Sequence, residues 1–160
     1  MDGVEIYSGL YEALQSDNWN AVKEFMKCHP QAISAKITDD GRTALHVAVA
    51  AGHELIVREL VKQMSKENLE IKDNLGLTAL ALAARSGNYR MAECMLEKNE
   101  NLVCIGCNIG VVPVVDALYN GHLKLARYLY LLTPLEILKP ENGPGPVVTQ
   151  AIYSKALGKN

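Results

Sequence analysis

The sequence lacks the features that would place it in a membrane, in the secretory pathway or on nucleic acid. No uninterrupted apolar run reaches the roughly 18 residues that a membrane-spanning helix needs. The opening MDGVEIYSGL has neither a basic start nor the apolar stretch of a signal peptide. Sixteen basic against eighteen acidic residues give a formal charge of −2, which favours no broad attraction to nucleic acid or anionic lipid. We therefore expect a cytoplasmic protein with reduced thiols that binds no nucleic acid and does not itself insert into a membrane.

The chain is also poor in the groupings that catalysis and cofactor binding require. The glycine-rich NGPGP lacks the Lys-Ser/Thr of a nucleotide-binding loop. Thr43 and His46 are close in sequence, but no third group orients the histidine, and the equivalent position 35 residues later is Ala81. The acidic residues are scattered, several of them in turns. We predict no catalytic residues and no cofactor.

Two of the four cysteines, Cys104 and Cys107, form the pair CIGC. A zinc site needs a second ligand pair, and the adjacent Cys28 and His29 lie too far away in the sequence to make a good one. A redox dithiol would sit at a helix N-terminus that lowers a thiol pKa, whereas this pair falls in a turn. We therefore predict that the pair holds no metal and that its thiols are structural or incidental. A redox-sensing regulator acting through Cys104 and Cys107 is kept as an alternative.

What the sequence does contain is a repeat. The stretches GRTALHVAVAAGH, GLTALALAARSGN and GVVPVVDALYNGH begin at Gly41, Gly76 and Gly110, in steps of 35 and 34 residues. Two further positions keep the period, one always aliphatic and the other always alanine. They are Leu10, Leu45, Leu80, Val114 and Val148 for the first, and Ala13, Ala48, Ala83, Ala117 and Ala151 for the second. A fixed period near 34 residues indicates stacked copies of one supersecondary unit.

Each unit is predicted to contain two helices separated by a tight turn. A hydroxyl residue that can cap the first helix occurs at Ser8, Thr43 and Thr78. A glycine then ends this helix in the second, third and fourth units, and Asp17 stands in its place in the first. The second helix is amphipathic, as in ELIVRELVKQM. Turns rich in Asp, Asn and Gly join one unit to the next.

The repeat predicts one all-α solenoid domain covering residues 1–160. The expected boundaries are about 5–40, 41–75, 76–109 and 110–144 for four full units, with a partial unit or cap at 145–160. GRTALHVAVAAGH and GLTALALAARSGN resemble the ankyrin repeat, whose usual signature runs G-x-T-P-L-H-x-A-A-x-x-G-H. The tetratricopeptide repeat has a similar period but lacks this Thr-x-Leu-His start. The resemblance covers nearly the whole chain and implies helix-turn-helix units joined by hairpin-like turns.

A narrower resemblance concerns the fourth unit. The stretches VVPVVDALYNGHLKLA and ARYLYLLTPLEIL are similar to the N-terminal ankyrin region of plant membrane proteins of the ankyrin–PGG group. This resemblance implies one of two alternatives. The chain is either a fragment of such a protein, namely its cytosolic ankyrin head, or a short relative without the membrane half. The short relative would regulate such a protein through ankyrin–ankyrin contact. Both readings imply a role in plant signalling, defence or stress regulation at the cytosolic face of a membrane.

The ankyrin resemblance also implies where a partner would bind. Ankyrin arrays bind proteins on a concave face, which is formed by the turn tips and the exposed side of each first helix. Mapped slot by slot, the predicted partner-binding residues are Asn74, Leu75, Leu77, Leu82, Arg85, Ile109, Val111, Asp116, Tyr119 and Asn120. The same mapping adds Glu12, Gln15, Asp39, Asp40 and Arg42 from the first two units and Tyr153 from the last.

Four of these residues are unusual because turn tips are normally polar, whereas Leu75, Leu77, Ile109 and Val111 are apolar. Together with Leu82 and Tyr119 on the helices, they predict an exposed apolar strip with an aromatic anchor, which is typical of a protein-binding patch. The alternative is that some of them pack against the next hairpin. Arg85 and Asp116 would set the register with a charged partner. We predict a non-catalytic protein–protein interaction module, whose partner is a foreign protein, another ankyrin protein or a second copy.

Overall fold

The computed structural model describes residues 5–139. Within this range the regular structure consists of nine α-helices and three short 3-10 helices. The α-helices are α1 (Ser8–Gln15), α2 (Trp19–Cys28), α3 (Ala44–Ala51), α4 (Glu54–Gln63), α5 (Lys66–Leu69), α6 (Ala79–Ser86), α7 (Tyr89–Lys98), α8 (Pro113–Tyr119) and α9 (Leu123–Leu132). The 3-10 helices are Glu5–Tyr7, Pro30–Ile33 and Glu100–Cys104. Residues 5–139 contain no strand beyond one isolated bridge between Lys36 and Thr43, so the predicted all-α class is confirmed.

The helices form four consecutive pairs, with the single turn α5 between the second and the third pair. The first helices of the pairs make a row in which α1 packs on α3, α3 on α6 and α6 on α8. The aliphatic and alanine positions that recur in the sequence lie inside this row, and Leu45, Ala48, Leu80 and Ala83 are all buried. Stacking therefore buries one core between the units, which confirms the predicted solenoid. The positions predicted for the fifth unit lie outside the described residues.

Polar side chains cap several helices, though not all where the sequence suggested. Thr78 Oγ1 accepts a hydrogen bond from the Ala81 amide at 3.2 Å, as predicted. Asn18 and Asn88 cap α2 and α7, since each accepts from a first-turn amide at 3.1 Å. The cap predicted at Ser8 is wrong. The 3-10 helix Glu5–Tyr7 leads directly into α1, so Ser8 is already its first helical residue, and the residue before it makes no side-chain cap bond.

Asparagine side chains tie successive turn tips together. The Asn74 side chain donates to the Asp39 carbonyl at 3.0 Å, and its backbone amide donates to the Asp40 carbonyl at 3.0 Å. One unit later, the Asn108 side chain donates to the Asn74 carbonyl at 3.2 Å. Gly76 has a φ of +77°, and a Cβ there would stand 2.2 Å from the Asn108 side-chain oxygen, so this stacking requires glycine. These bonds, the turn ladder, fix the relative positions of the turn tips.

Candidate functional site

His46, the histidine of the first repeat motif, is a buried link between two units. Its Nδ1 accepts a hydrogen bond from the Thr43 amide at 3.2 Å and lies 2.8 Å from the Thr43 hydroxyl. Its Nε2 donates to the Leu77 carbonyl of the next unit at 2.9 Å. Burial lowers the pKa of His46 below its ordinary value of 6.5, although the bond to Leu77 opposes this shift. Both ring nitrogens are therefore engaged in structural bonds, one within the unit and one to the next unit.

The two histidines that follow closing glycines have a similar role. His53 Nε2 lies 3.0 Å from the Gln15 carbonyl, and His122 Nε2 lies 2.9 Å from the Arg85 carbonyl. Each contact joins a second helix to the end of the first helix in the preceding unit. Among residues 5–139, no three His, Cys, Asp or Glu side chains are grouped so that they could hold a metal ion.

The Cys104 and Cys107 pair lies before α8, and both thiols are free and partly buried. Cys107 occupies the turn position that Asp73 holds one unit earlier. The Cys107 amide donates to the Val111 carbonyl at 3.0 Å, just as the Asp73 amide donates to the Leu77 carbonyl at 2.9 Å. Burial raises the pKa of the Cys104 thiol, which disfavours the reactive thiolate. This geometry favours structural thiols over a redox sensor.

From residue 74 to the end of α8, three large apolar side chains on the turn tips and first helices remain in solvent. The exposed fraction is 64% for Leu75, 83% for Ile109 and 91% for Tyr119. Leu75 and Ile109 each follow an asparagine of the turn ladder, so they occupy equivalent positions on adjacent tips. Tyr119 is the last residue of α8, roughly 9 Å along the helix axis from its first. We call these three residues the apolar strip. Leu82 and Val111, also predicted as site residues, are half-buried.

Leu77 was predicted to belong to this exposed surface, and that prediction is wrong because only 2% of the residue is exposed. Leu77 stands at the entry to α6, immediately before the capping Thr78, and the chain has already turned inward there. Its amide donates to Asp73 Oδ1 at 2.9 Å, and its carbonyl accepts the bond from His46. Leu77 therefore connects two units and is not available to a partner.

Asp116 was expected to meet a charged partner, but it pairs within the chain. Arg85 Nε donates to Asp116 Oδ1 at 2.9 Å, and only 5% of Asp116 is exposed. Burial raises the pKa of Asp116, an effect that the bond from Arg85 opposes. The Asn120 side chain donates to the Asp116 backbone carbonyl at 2.7 Å. Asp116 therefore holds α8 to α6, while Arg85 and Asn120 stay exposed.

A second feature of the same face is a groove of about 600 Å³ between α1 and the turn at residues 37–42, which we call the acidic groove. It is lined by Glu5, Ser8, Tyr11, Glu12, Gln15, Ile37, Thr38, Asp39, Asp40, Arg42, Val47 and Ala50. Mapping of the repeat places Glu12 and Asp39 on the concave face but does not show that they share a groove. Only the fold brings α1 beside this turn. In the sequence, the groove is indicated by nothing more than the concentration of carboxylates in the first unit.

Comparison with known proteins agrees with this architecture. A family model described as ankyrin repeats, in three copies, matches residues 6–73 and 59–137. The two matches together span residues 6–137, which is most of the chain. In the described part of the chain, no helix is both long and apolar enough to span a membrane.

The similar proteins are much longer than this chain. It is 27% identical over 137 residues to the tyrosine-protein kinase Shark of Drosophila melanogaster, covering 86% of this chain and 14% of that protein. It is 29% identical over 119 residues to the SMC5-SMC6 complex localization factor protein 1 of Homo sapiens, covering 73% of this chain and 11% of that protein. It is 32% identical over 71 residues to the ankyrin repeat-containing protein ITN1 of Arabidopsis thaliana, covering 44% of this chain and 12% of that protein. The chain thus corresponds to a small part of each relative.

Proposed function

The chain belongs to the ankyrin repeat family, and we propose that it is a non-catalytic module that binds a partner protein or peptide on its concave face. Ankyrin repeats generally mediate protein–protein interaction. In this chain the contacts would come from the apolar strip, with Leu82 and Val111 beside the anchors and Asn74, Arg85 and Asn120 as polar contacts. Leu77 and Asp116 are left out because both are buried.

The observation that carries the proposal is the exposure of the apolar strip. Turn tips normally carry polar side chains, yet Leu75 and Ile109 place branched aliphatic groups in solvent on adjacent tips. Burying a side chain such as Ile109 in an interface is favourable by about 1.5–3 kcal/mol. Tyr119 adds an aromatic group of the type that dominates interface hot spots. Because the turn ladder already orders the tips, a partner would not have to pay the full cost of ordering them.

A comparison of captured proteins tests this proposal. The full chain would be immobilised alongside the double variant Ile109→Asp with Tyr119→Ala, and native lysate would be passed over both. The variant should lose the proteins that wild type retains, because a carboxylate replaces one anchor and the aromatic group is removed. Both side chains are exposed, so the fold should tolerate the changes, and circular dichroism would verify this.

The matched control is Leu55→Asp, which introduces the same charge at an exposed leucine on α4, in the row of second helices. Proteins captured by wild type and by this control, but lost with the double variant, would support the concave face as the binding surface. Identical capture by all three proteins would contradict the proposal.

A second candidate function is the cytosolic ankyrin head of a plant multi-pass membrane protein, or a regulator that contacts such a head through its own ankyrin units. The similarity to ITN1, an ankyrin repeat-containing protein of Arabidopsis thaliana, supports the plant part of this candidate. The membrane part rests on the ankyrin–PGG resemblance of the fourth unit alone. Signalling, defence or stress regulation in a plant, at the cytosolic face of a membrane, would then be its setting. Transcripts in which the reading frame continues past Asn160 into apolar spans would support a head, and a stop codon there would favour the regulator.

A further inference from the structure

We infer that the acidic groove is a docking site for an arginine- or lysine-rich segment of the partner protein. This inference rests on the proposed function, because it specifies the chemistry of a partner that the concave face would bind. The apolar strip lies on the two later turn tips and on α8, whereas the groove lies between α1 and the turn at residues 37–42. A partner that reaches both would place apolar side chains at one end of the face and a basic segment at the other.

The charge of the groove is the first argument. Its lining includes four carboxylates, of Glu5, Glu12, Asp39 and Asp40, and one guanidinium, of Arg42. The local formal charge is therefore −4 + 1 = −3, whereas the whole chain carries −2, which leaves +1 for all other residues. The negative charge of the protein is thus concentrated in one concave place. A cleft with this excess of negative charge attracts cationic ligands and repels nucleic acid.

Arg42, the one cationic residue among the described residues that line the groove, does not neutralise it. Arg42 Nε lies 3.1 Å from Asp40 Oδ2 and 3.8 Å from the buried Asp73 Oδ2, so its charge is already shared by two carboxylates. Asp40 Oδ1 also accepts a hydrogen bond from the Thr38 hydroxyl. The carboxylates of Glu5, Glu12 and Asp39 have no ion-pair partner within residues 5–139. As far as residues 5–139 are concerned, these three groups remain available to cations from outside.

The other lining residues match the chemistry of a basic side chain. Tyr11 is exposed on α1, and the Gln15 side chain donates to its hydroxyl at 3.2 Å, which limits the motion of the ring. An aromatic face next to carboxylates attracts a guanidinium or ammonium group. Ala50, which is exposed on α3, supplies an apolar contact against which the aliphatic part of arginine or lysine can pack. The volume of about 600 Å³ falls within the range of about 300–1,000 Å³ that is typical of ligand pockets.

Fluorescence anisotropy with a labelled hexapeptide containing four arginines would test the inference on the full chain. Binding should be saturable with one peptide per chain, should weaken with added salt, and should be absent for a peptide with four glutamates. The double variant Glu12→Lys with Asp39→Lys should lower the affinity by at least about tenfold, since it removes two free carboxylates and adds two cations. The milder Glu12→Gln with Asp39→Asn should lower it in the same direction with almost no change in shape.

The matched control is Glu24→Lys with Glu97→Lys, which changes the net charge by the same amount at exposed positions on α2 and α7. Because these sites lie outside the groove, the control should change the affinity by less than about twofold when salt screens distant charges. Equal losses in both double variants would show attraction by net charge alone and would overturn the inference, as would a lack of saturable binding by wild type.

The outcomes for the groove and for the proposed function can be told apart. If the arginine peptide does not bind but the Ile109→Asp, Tyr119→Ala double variant loses captured proteins, the concave face is a binding surface and the acidic groove is not part of it. If the peptide binds in the groove while capture is insensitive to the apolar strip, the inference stands and the proposed anchors are wrong.

Discussion

Arg85 on α6 and Asp116 on α8 form an ion pair whose Nε and Oδ1 atoms are 2.9 Å apart, and the carboxylate is almost fully buried. The two residues are 31 positions apart and belong to successive units. The second carboxylate oxygen, Oδ2, is also buried and has no hydrogen-bond partner in the described part of the chain. Such a pair fixes how two units sit together without contributing much stability, because loss of hydration offsets the attraction.

The variant Asp116→Asn tests this view through its pH dependence. Burial raises the pKa of Asp116 above the ordinary value of 3.8, so the native state favours the protonated carboxyl. As the pH rises from 3.8 through the raised pKa, wild type should therefore lose stability relative to the variant. Urea unfolding of both proteins across this range would measure the difference in free energy. A difference that instead grew in favour of wild type would show that the bond from Arg85 dominates.

Truncating the other partner should be more damaging. Arg85→Ala leaves the buried carboxylate of Asp116 without its donor, and we expect a loss of about 1–3 kcal/mol in the free energy of unfolding near neutral pH. The double variant Arg85→Ala with Asp116→Asn should recover part of this loss, because no charge is then buried. Chemical denaturation of the three proteins in parallel provides the comparison. Equal stability of wild type and Arg85→Ala would contradict the expected cost.

Much of the fold could be predicted from the period of the repeat, because a stacked array has the same local structure in every unit. Leu45 and Leu80, one period apart, are both buried. Gly52 ends its helix with a φ of +80°, and Asp17, the predicted substitute in the first unit, has a φ of +56°. The failed cap at Ser8 has a different cause. The 3-10 helix before it follows no repeat, so nothing in the period indicated it.

The candidate site was less predictable, because exposure at a turn depends on where the neighbouring turns stand. Leu75 and Leu77 are two positions apart and equally apolar, yet the first is exposed and the second is buried. Likewise, Arg85 and Asp116 were both assigned to a partner but contact each other. The acidic groove requires α1 to lie beside a turn about 30 residues later, which is a contact that spacing alone does not show.

The variant His46→Gln tests the link between the second and third units. The buried imidazole has a lowered pKa, so the unfolded chain takes up a proton below about pH 6.5 while the native protein does not. Wild type should therefore lose stability as the pH falls from 6.5 through the lowered pKa, and the glutamine variant should lack this contribution. At neutral pH the variant should be destabilised by about 1–3 kcal/mol, since the bonds to Thr43 and Leu77 are disturbed.

Urea unfolding of wild type and His46→Gln at several pH values would measure both the pH dependence of stability and the stability lost at neutral pH. The control is His29→Gln, because His29 lies at the end of α2 and stacks on Phe25 without joining two units. If the two glutamine variants showed the same pH dependence, the lowered pKa of His46 would not contribute to stability.

A pair of glycine substitutions tests the turn ladder. Gly76→Ala should lower the free energy of unfolding by at least about 2 kcal/mol, because alanine disfavours the φ of +77° and its Cβ would collide with the Asn108 side chain. Gly9→Ala is the opposite case: Gly9 lies within α1, and a Cβ there meets no atom within 4 Å. That variant should be more stable by about 0.5–1 kcal/mol. Thermal unfolding of both variants would show shifts of opposite sign. A neutral Gly76→Ala would mean that the turn tips are free to separate.

Thiol reactivity decides between structural thiols and the redox alternative. Cys28 is exposed, whereas burial raises the pKa of both Cys94 and Cys104, so fewer of these thiols are ionised at any given pH. An alkylating agent added to the native protein near pH 8 should therefore label Cys28 first, and peptide mass spectrometry would follow each site over time. A redox sensor requires the reverse order, since its thiolate must form readily and be accessible. Fast labelling of Cys104, or a disulfide between Cys104 and Cys107 under a mild oxidant, would contradict the structural role of these thiols and support the redox sensor.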